Sequence, residues 1–209
     1  MDRPEWISRA KPVEAPTVDI GFLISDTFYY GPENDFSQEQ WQRLREPLYK
    51  PNAERYGKYL LSAALEDSAA ELVRYYQDVV RLIGHHGRTM EQELHYFWMR
   101  PLIFVREQVA ITFPWYDTWE EAVPFLDALT RPDDGLLFED LEQGWEVNAF
   151  AECGQLFLRQ GDFDIGEEYI VVATDRAQLS GQVPAVRQRI VRLLQEMSAA
   201  LGHDYWSGR

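Results

Sequence analysis

Apolar and polar residues alternate from Val18 to Ser25. Val18, Ile20, Phe22 and Ile24 fall on one side, Asp19, Gly21 and Ser25 on the other, and Leu23 breaks the polar face. That period of two predicts a strand. Residues 94–99 and 102–113, rich in aromatic and β-branched side chains, predict two more strands with Arg100-Pro101 as the turn between them. In the second of these, Val109, Ile111, Phe113 and Trp115 share a face. The stretch from Gly144 to Thr174 predicts two long strands around an acidic, glycine-bearing turn and is the expected centre of the sheet. In its first strand the apolar set moves from Val147, Ala149 and Ala151 to Leu156 and Leu158, which predicts a bulge near Gly154. Its second strand, residues 169–174, is apolar on both faces, as an interior strand is.

Helical patterns appear in four places. Ser37 with Gln40 reads as a capping box opening a short helix through Trp41, Leu44 and Leu48, ended or kinked by Pro47. From residue 58 to 83, Leu61, Leu65, Leu72, Tyr75, Tyr76, Val79 and Ile83 predict the longest helix, with Glu66 and Asp67 on its polar side and Gly84 as its cap. Pro184 opens the last helix, whose stripe is Val186, Ile190, Leu193, Leu194, Met197 and Leu201, and Gly202 caps it. Thr118 and Glu121 form another capping box before Phe125, Leu126 and Leu129, and Pro124 either starts that helix or kinks it. Three prolines in residues 1–16 predict a loosely ordered N-terminal arm, and residues 17–209 a single domain. The sum is an α+β fold, a mainly antiparallel sheet of about five strands with three to five helices.

Composition narrows the function. With 35 acidic and 20 basic residues the formal charge is -15, which repels phosphate backbones and favours a basic protein partner over nucleic acid. No apolar run of membrane-spanning length is present, and residues 1–20 lack the apolar core of a signal peptide, so a cytoplasmic location is expected. Cys153 is the only cysteine; its position in a strand pattern predicts a small buried hydrophobe.

Motifs for catalysis are sparse. Asp162, Asp164, Glu167 and Glu168 flank a glycine, but the spacing does not match a calcium loop. His85 and His86 are adjacent and are expected to point apart, so neither a metal nor a cofactor is expected, nor enzyme activity. The strongest signal is the acidic series Asp117, Glu120, Glu121, Asp127, Asp133, Asp134, Glu139, Asp140, Glu142 and Glu146. Of basic residues, only Arg131 interrupts it. Trp115, Tyr116, Trp119 and Trp145 interleave with these acids. Aromatic anchors rimmed by carboxylates suit a basic partner. The candidate contacts are Asp133, Asp134, Glu139, Asp140 and Glu142, with Trp115, Trp119 and Trp145 as anchors.

The segments NDFSQEQWQRLREPL, ERYGKYLLSAALEDSAAEL, GQLFLRQGDFDIGEE and LLQEMSAALGHDYW together resemble bacterial polymorphic-toxin immunity proteins. The likeness is to the immunity family that accompanies restriction-endonuclease-like nuclease toxins, including those of type VI secretion, and it runs from about Asp19 onward. It implies a cytoplasmic protein that binds one cognate nuclease and blocks it. It assigns no contact residue, since Trp41, Gly161, Asp162, Gly166 and Trp206 in its motifs serve equally as structural positions. Two other readings stand beside it: an adaptor or chaperone for a secreted effector, and a carboxylate-based metal-dependent enzyme.

Overall fold

The structure, a computed structural model, describes residues 3–32, 37–65, 69–105 and 108–207. The first part of the chain supplies β1 (Lys11–Pro12), β2 (Thr17–Leu23), β3 (Thr27–Tyr29), α1 (Gln38–Arg43), β4 (Arg45–Pro47), β5 (Arg55–Tyr56), β6 (Tyr59–Leu61) and α2 (Ala70–His85). Then come β7 (Met99–Val105), β8 (Gln108–Thr112), α3 (Trp119–Thr130), β9 (Gly135–Glu142), β10 (Trp145–Glu152), β11 (Gln155–Asp162) and β12 (Glu167–Asp175). The helices α4 (Arg176–Ser180) and α5 (Val183–Leu201) follow. Short 3-10 helices occupy Glu5–Arg9, Ser62–Leu65 and Glu91–Phe97.

The α+β class holds, with pairing mainly antiparallel. Among the described residues the strands form two five-stranded sheets, ordered β1-β12-β11-β10-β9 and β5-β6-β2-β7-β8, and a separate β3-β4 ribbon. One buried cluster joins both sheets to the helices: Ile20 and Phe22 of β2, Val147 and Leu158 of the first sheet, Tyr75 and Val79 of α2, and Ile190 and Met197 of α5. Rings of that size contribute much of the burial.

The centre of the first sheet holds three strands, not two. Trp145–Glu152 and Gln155–Asp162 pair antiparallel up to Glu152↔Gln155, so Cys153-Gly154 is a two-residue hairpin. Both residues have positive φ, 51° and 80°, as do Gln143 and Gly144, 52° and 83°, in the hairpin joining β9 to β10. Positive φ at both central positions is what the right-handed twist of a tight hairpin demands. The apolar shift read as a bulge near Gly154 is therefore a chain reversal, and Cys153 is exposed in the turn.

Other expectations are corrected too. The acidic series after Asp134 lies mostly on strand β9, at the sheet edge. The helix expected from residue 58 starts at Ala70; before it lie β5, β6 and a 3-10 turn, and α5 is the longer helix. Gly84 lies inside α2, and the left-handed residue is Gly87; Glu66 and Asp67 lie outside the described residues. α1 stops at Arg43, and residues 45–47 pair with β3. Residues 91–97 are 3-10 helix, and Arg100-Pro101 sits within β7, paired on one side with β2. Residues 106–107 and the side chain of Val109 lie outside the described residues.

Trp6 and Ile7 pack on Phe150, Phe157 and Val171, covering one end of the outer face of the first sheet, and β1 extends β12 in parallel. Two expectations are met closely. Thr118 accepts from the N–H of Glu121 while the Glu121 carboxylate returns to the backbone of Thr118, a complete capping box with Pro124 inside the helix it opens. Val186, Ile190, Leu193, Leu194 and Met197 form the buried stripe of α5.

Candidate functional site

At one end of the first sheet the β9–β10 turn lies against the loop that joins β11 to β12. Phe163 N–H donates to the carbonyl of Gly144 over 2.6 Å. The pairs Trp145↔Asp162 and Asp162↔Glu167 bring three strand ends together. Asp162 shapes the loop by accepting from the N–H groups of Asp164 and Ile165, 3.0 and 3.2 Å away. With the backbone satisfied this way, the side chains of Phe163 and Ile165 point into solvent, 62% and 68% exposed. Tyr169, opposite the irregularity at Gly161, is 45% exposed and packs its ring on half-buried Trp145 at 5.4 Å. Leu141 near the end of β9 is 52% exposed.

Carboxylates surround these side chains. Glu142 pairs across the turn with Trp145, and Asp164 and Glu167 flank Ile165. Among the described residues none of Glu142, Asp164 and Glu167 forms an ion pair. The neighbouring cations are engaged elsewhere: Arg159 pairs with Glu146 at 2.7 Å, and Arg9 with Glu168 at 2.8 Å. The hydrogen bond from Arg9 holds the Glu168 carboxyl below its ordinary range. Exposed apolar side chains inside a rim of uncompensated acid give a surface that a basic, apolar-tipped partner would cover.

The contact residues expected from the sequence do not form one patch. β9 is eight residues long, about 25 Å. Asp133 and Asp134 precede its start, Glu142 ends it. Asp134 accepts from the N–H of Cys153 at 3.1 Å and lies 3.7 Å from Arg176. Glu139 is exposed opposite Asn148. Asp140 is a structural acceptor, taking hydrogen bonds from Trp115 Nε1 at 2.9 Å and the Tyr116 hydroxyl at 2.7 Å. Burial, with Asp140 beside it, raises the Tyr116 hydroxyl pKa. Trp115 is buried, and Trp119 packs half-buried on the core. Of the expected set, Glu142 and Trp145 belong to the tip. Phe163, Ile165 and Tyr169 were not singled out, although apolar residues inside an acidic turn are a legible signal because turn positions favour small polar ones.

Two other places hold clustered polar groups. A cleft of about 980 Å³ lies between β2, the start of α5 and the residues around Tyr56, Leu61 and Phe104. Beneath it Asp19 is buried and accepts from Ser62, from the Ala63 N–H at 2.9 Å and from Arg189 at 3.1 Å. Those bonds use both carboxylate oxygens, a structural knot tying α5 to β2. Among the described residues one group of three possible metal ligands converges, Glu46, His85 and His86. The carboxylates at 162, 164, 167 and 168 do not converge in that way.

No protein-family model, no curated protein and no solved structure matches the chain. Among the described residues no helix is long and apolar enough to cross a membrane.

Proposed function

We propose that this is a toxin-neutralising binding protein that acts in the cytoplasm, capturing a basic nuclease through the tip of its first sheet. The observation that carries the reading is the tip itself, where Phe163, Ile165 and Tyr169 stand exposed among the exposed carboxylates of Glu142, Asp164 and Glu167, none of them ion-paired among the described residues. The rings and Ile165 supply the apolar area that concentrates binding energy, and the acids raise the encounter rate with a cationic partner. A nuclease fits because its groove must attract phosphate and is therefore cationic, which the formal charge of -15 complements. The resemblance to immunity proteins points the same way. Such a protein needs no catalytic group of its own, since covering the partner's groove is enough.

The experiment is affinity capture from the native cells with washes at low and high salt, followed by DNA-cleavage assays on the purified partner. A basic nuclease that is released by salt, and whose cleavage stops on adding this protein, supports the reading. Recovery of no basic protein, or of one whose cleavage is unaffected, overturns it.

A further inference from the structure

Residue His86 is the C-cap of α2, and its Nε2 lies 2.9 Å from a carboxylate oxygen of Glu46, on β4. His85 precedes it, its ring 4.8 Å from that of His86 and nearly perpendicular at 77°. Adjacent residues in mid-helix point apart. Here the helix is ending: His86 has left helical geometry, with φ -92° and ψ 3°. One ligand atom from each of Glu46, His85 and His86 therefore falls within 4.8 Å of the others. We propose that these three residues bind a single divalent transition-metal ion of the zinc class, clamping the β3–β4 ribbon to the end of α2.

Donor chemistry sets the class of ion. Two imidazoles and one carboxylate suit zinc, cobalt or nickel, whereas magnesium and calcium take oxygen shells. Bonds of about 2.0–2.1 Å in a tetrahedral site separate ligand atoms by about 3.3 Å. The His86–Glu46 distance already lies near that value. His85 is exposed, so its ring is free to turn inward and close the remaining gap. The His86 ring is fixed before any ion arrives. It stacks on Tyr30 with centroids 4.1 Å apart and planes 1° apart, and Tyr30 is in turn anchored by its hydroxyl on the carbonyl of Arg43 at 3.0 Å. The C-terminal end of a 16-residue helix carries the negative end of its dipole, which adds to the Glu46 carboxylate in favouring a cation. Three protein ligands leave a coordination position for water.

The test is calorimetric titration of the untagged protein with Zn²⁺, with Co²⁺ absorption as the spectroscopic readout, on the parent and on His85→Ala, Glu46→Gln and Cys153→Ser. The expected result is one ion per chain, a rise in Tm, and binding weakened more than about tenfold in His85→Ala and Glu46→Gln but not in Cys153→Ser. No heat and no cobalt spectrum in the parent would overturn the proposal. So would binding that survives both ligand substitutions or disappears with the exposed thiol of Cys153. His85 is exposed, so loss of binding in His85→Ala cannot be ascribed to unfolding if far-ultraviolet dichroism is unchanged.

Discussion

The side-chain amide of Gln160 and the backbone of Thr112 exchange two hydrogen bonds. The Thr112 N–H donates to Gln160 Oε1 at 3.0 Å, and Gln160 Nε2 donates to the Thr112 carbonyl at 3.0 Å. Thr112 ends β8, the edge strand of the second sheet, and Gln160 is a buried residue of β11 in the first. The amide thus stands in for a neighbouring strand and joins the two sheets. Replacing Gln160 with Leu leaves two part-buried backbone groups unpaired, each costing about 1–2 kcal/mol. Gln160→Leu is expected to lose about 2–4 kcal/mol in urea unfolding with an unchanged slope. A loss below about 0.5 kcal/mol, the range of ordinary surface changes, would show that the bridge contributes nothing.

Asp140 belongs to the acidic series but is held by Trp115 and Tyr116. Asp140→Ala leaves the Trp115 indole N–H and the Tyr116 hydroxyl without their acceptor, a loss of about 2–3 kcal/mol. Association with a basic partner should change little, since these rings fill the core. Unfolding followed by tryptophan fluorescence checks the first expectation, and association rates at low salt the second. A slowed association with undiminished stability would place Asp140 at the interface instead.

What the sequence makes legible divides along local and non-local lines. The capping pair Thr118 and Glu121 carries its own hydrogen bonds, so α3 is readable without the rest of the chain. The Cys153-Gly154 hairpin is hidden because a cysteine occupies a left-handed position usually taken by Asn, Asp or Gly. Read as a strand residue, it fuses β10 with β11. Pro101 misleads in the other direction. It lacks a backbone N–H and so reads as a turn, yet it lies inside β7 opposite Ile20. Leu61 continues the helical spacing of α2 by coincidence, and it is strand, with Tyr59 and Leu60, because the three pair with β2. At the candidate site Glu142 and Trp145 are visible as members of an acidic, aromatic series. Their assembly with Phe163 and Ile165 depends on the register of three strands, which no local pattern encodes.

Asp117 carries a pH signature. Partial burial raises its pKa to about 6; Arg100, 3.6 Å away, opposes the shift and Glu121 adds to it. An acid whose folded pKa lies above its unfolded value binds its proton more tightly when folded. Its contribution is fully present below the unfolded pKa, near pH 4, and is lost as pH rises through about 6. Asp117→Asn keeps the group neutral throughout. The variant should match the parent's Tm near pH 4 and exceed it at neutral pH, with the difference growing across that window. A Tm difference that stays constant with pH would refute the assignment.

The Asp19–Arg189 pair is nearly solvent-free, with side chains 6% and 13% exposed, and Ser62 bonds to both partners. Breaking such a pair leaves one charge buried without compensation, at a cost of about 3–5 kcal/mol. Arg189→Gln should lose stability in that range. The double variant Asp19→Asn, Arg189→Gln should lose less than the sum of the two singles by more than about 1 kcal/mol, because the second change removes the charge stranded by the first. Strict additivity in the double-mutant cycle would mean that the two charges do not see each other.

The tip makes the opposite demand, function without stability. Phe163 and Ile165 are more than half exposed, and the loop that carries them is shaped by backbone bonds to Asp162 that their side chains do not touch. Phe163→Ser with Ile165→Ser should therefore shift stability by no more than about 0.5 kcal/mol per site. If the tip is the docking surface, the same pair of changes weakens the captured partner's binding at least about thirtyfold, equivalent to one hot-spot side chain of 2 kcal/mol, and acts mainly on dissociation. Charge reversal at Glu142 and Asp164 should act on the other rate, slowing association at low salt and converging with the parent at high salt, because encounter with a cationic surface is screened. Stopped-flow measurements on the two variant sets separate these effects. Rates unchanged in both sets would remove the tip from the interface even where neutralisation of the partner had been demonstrated.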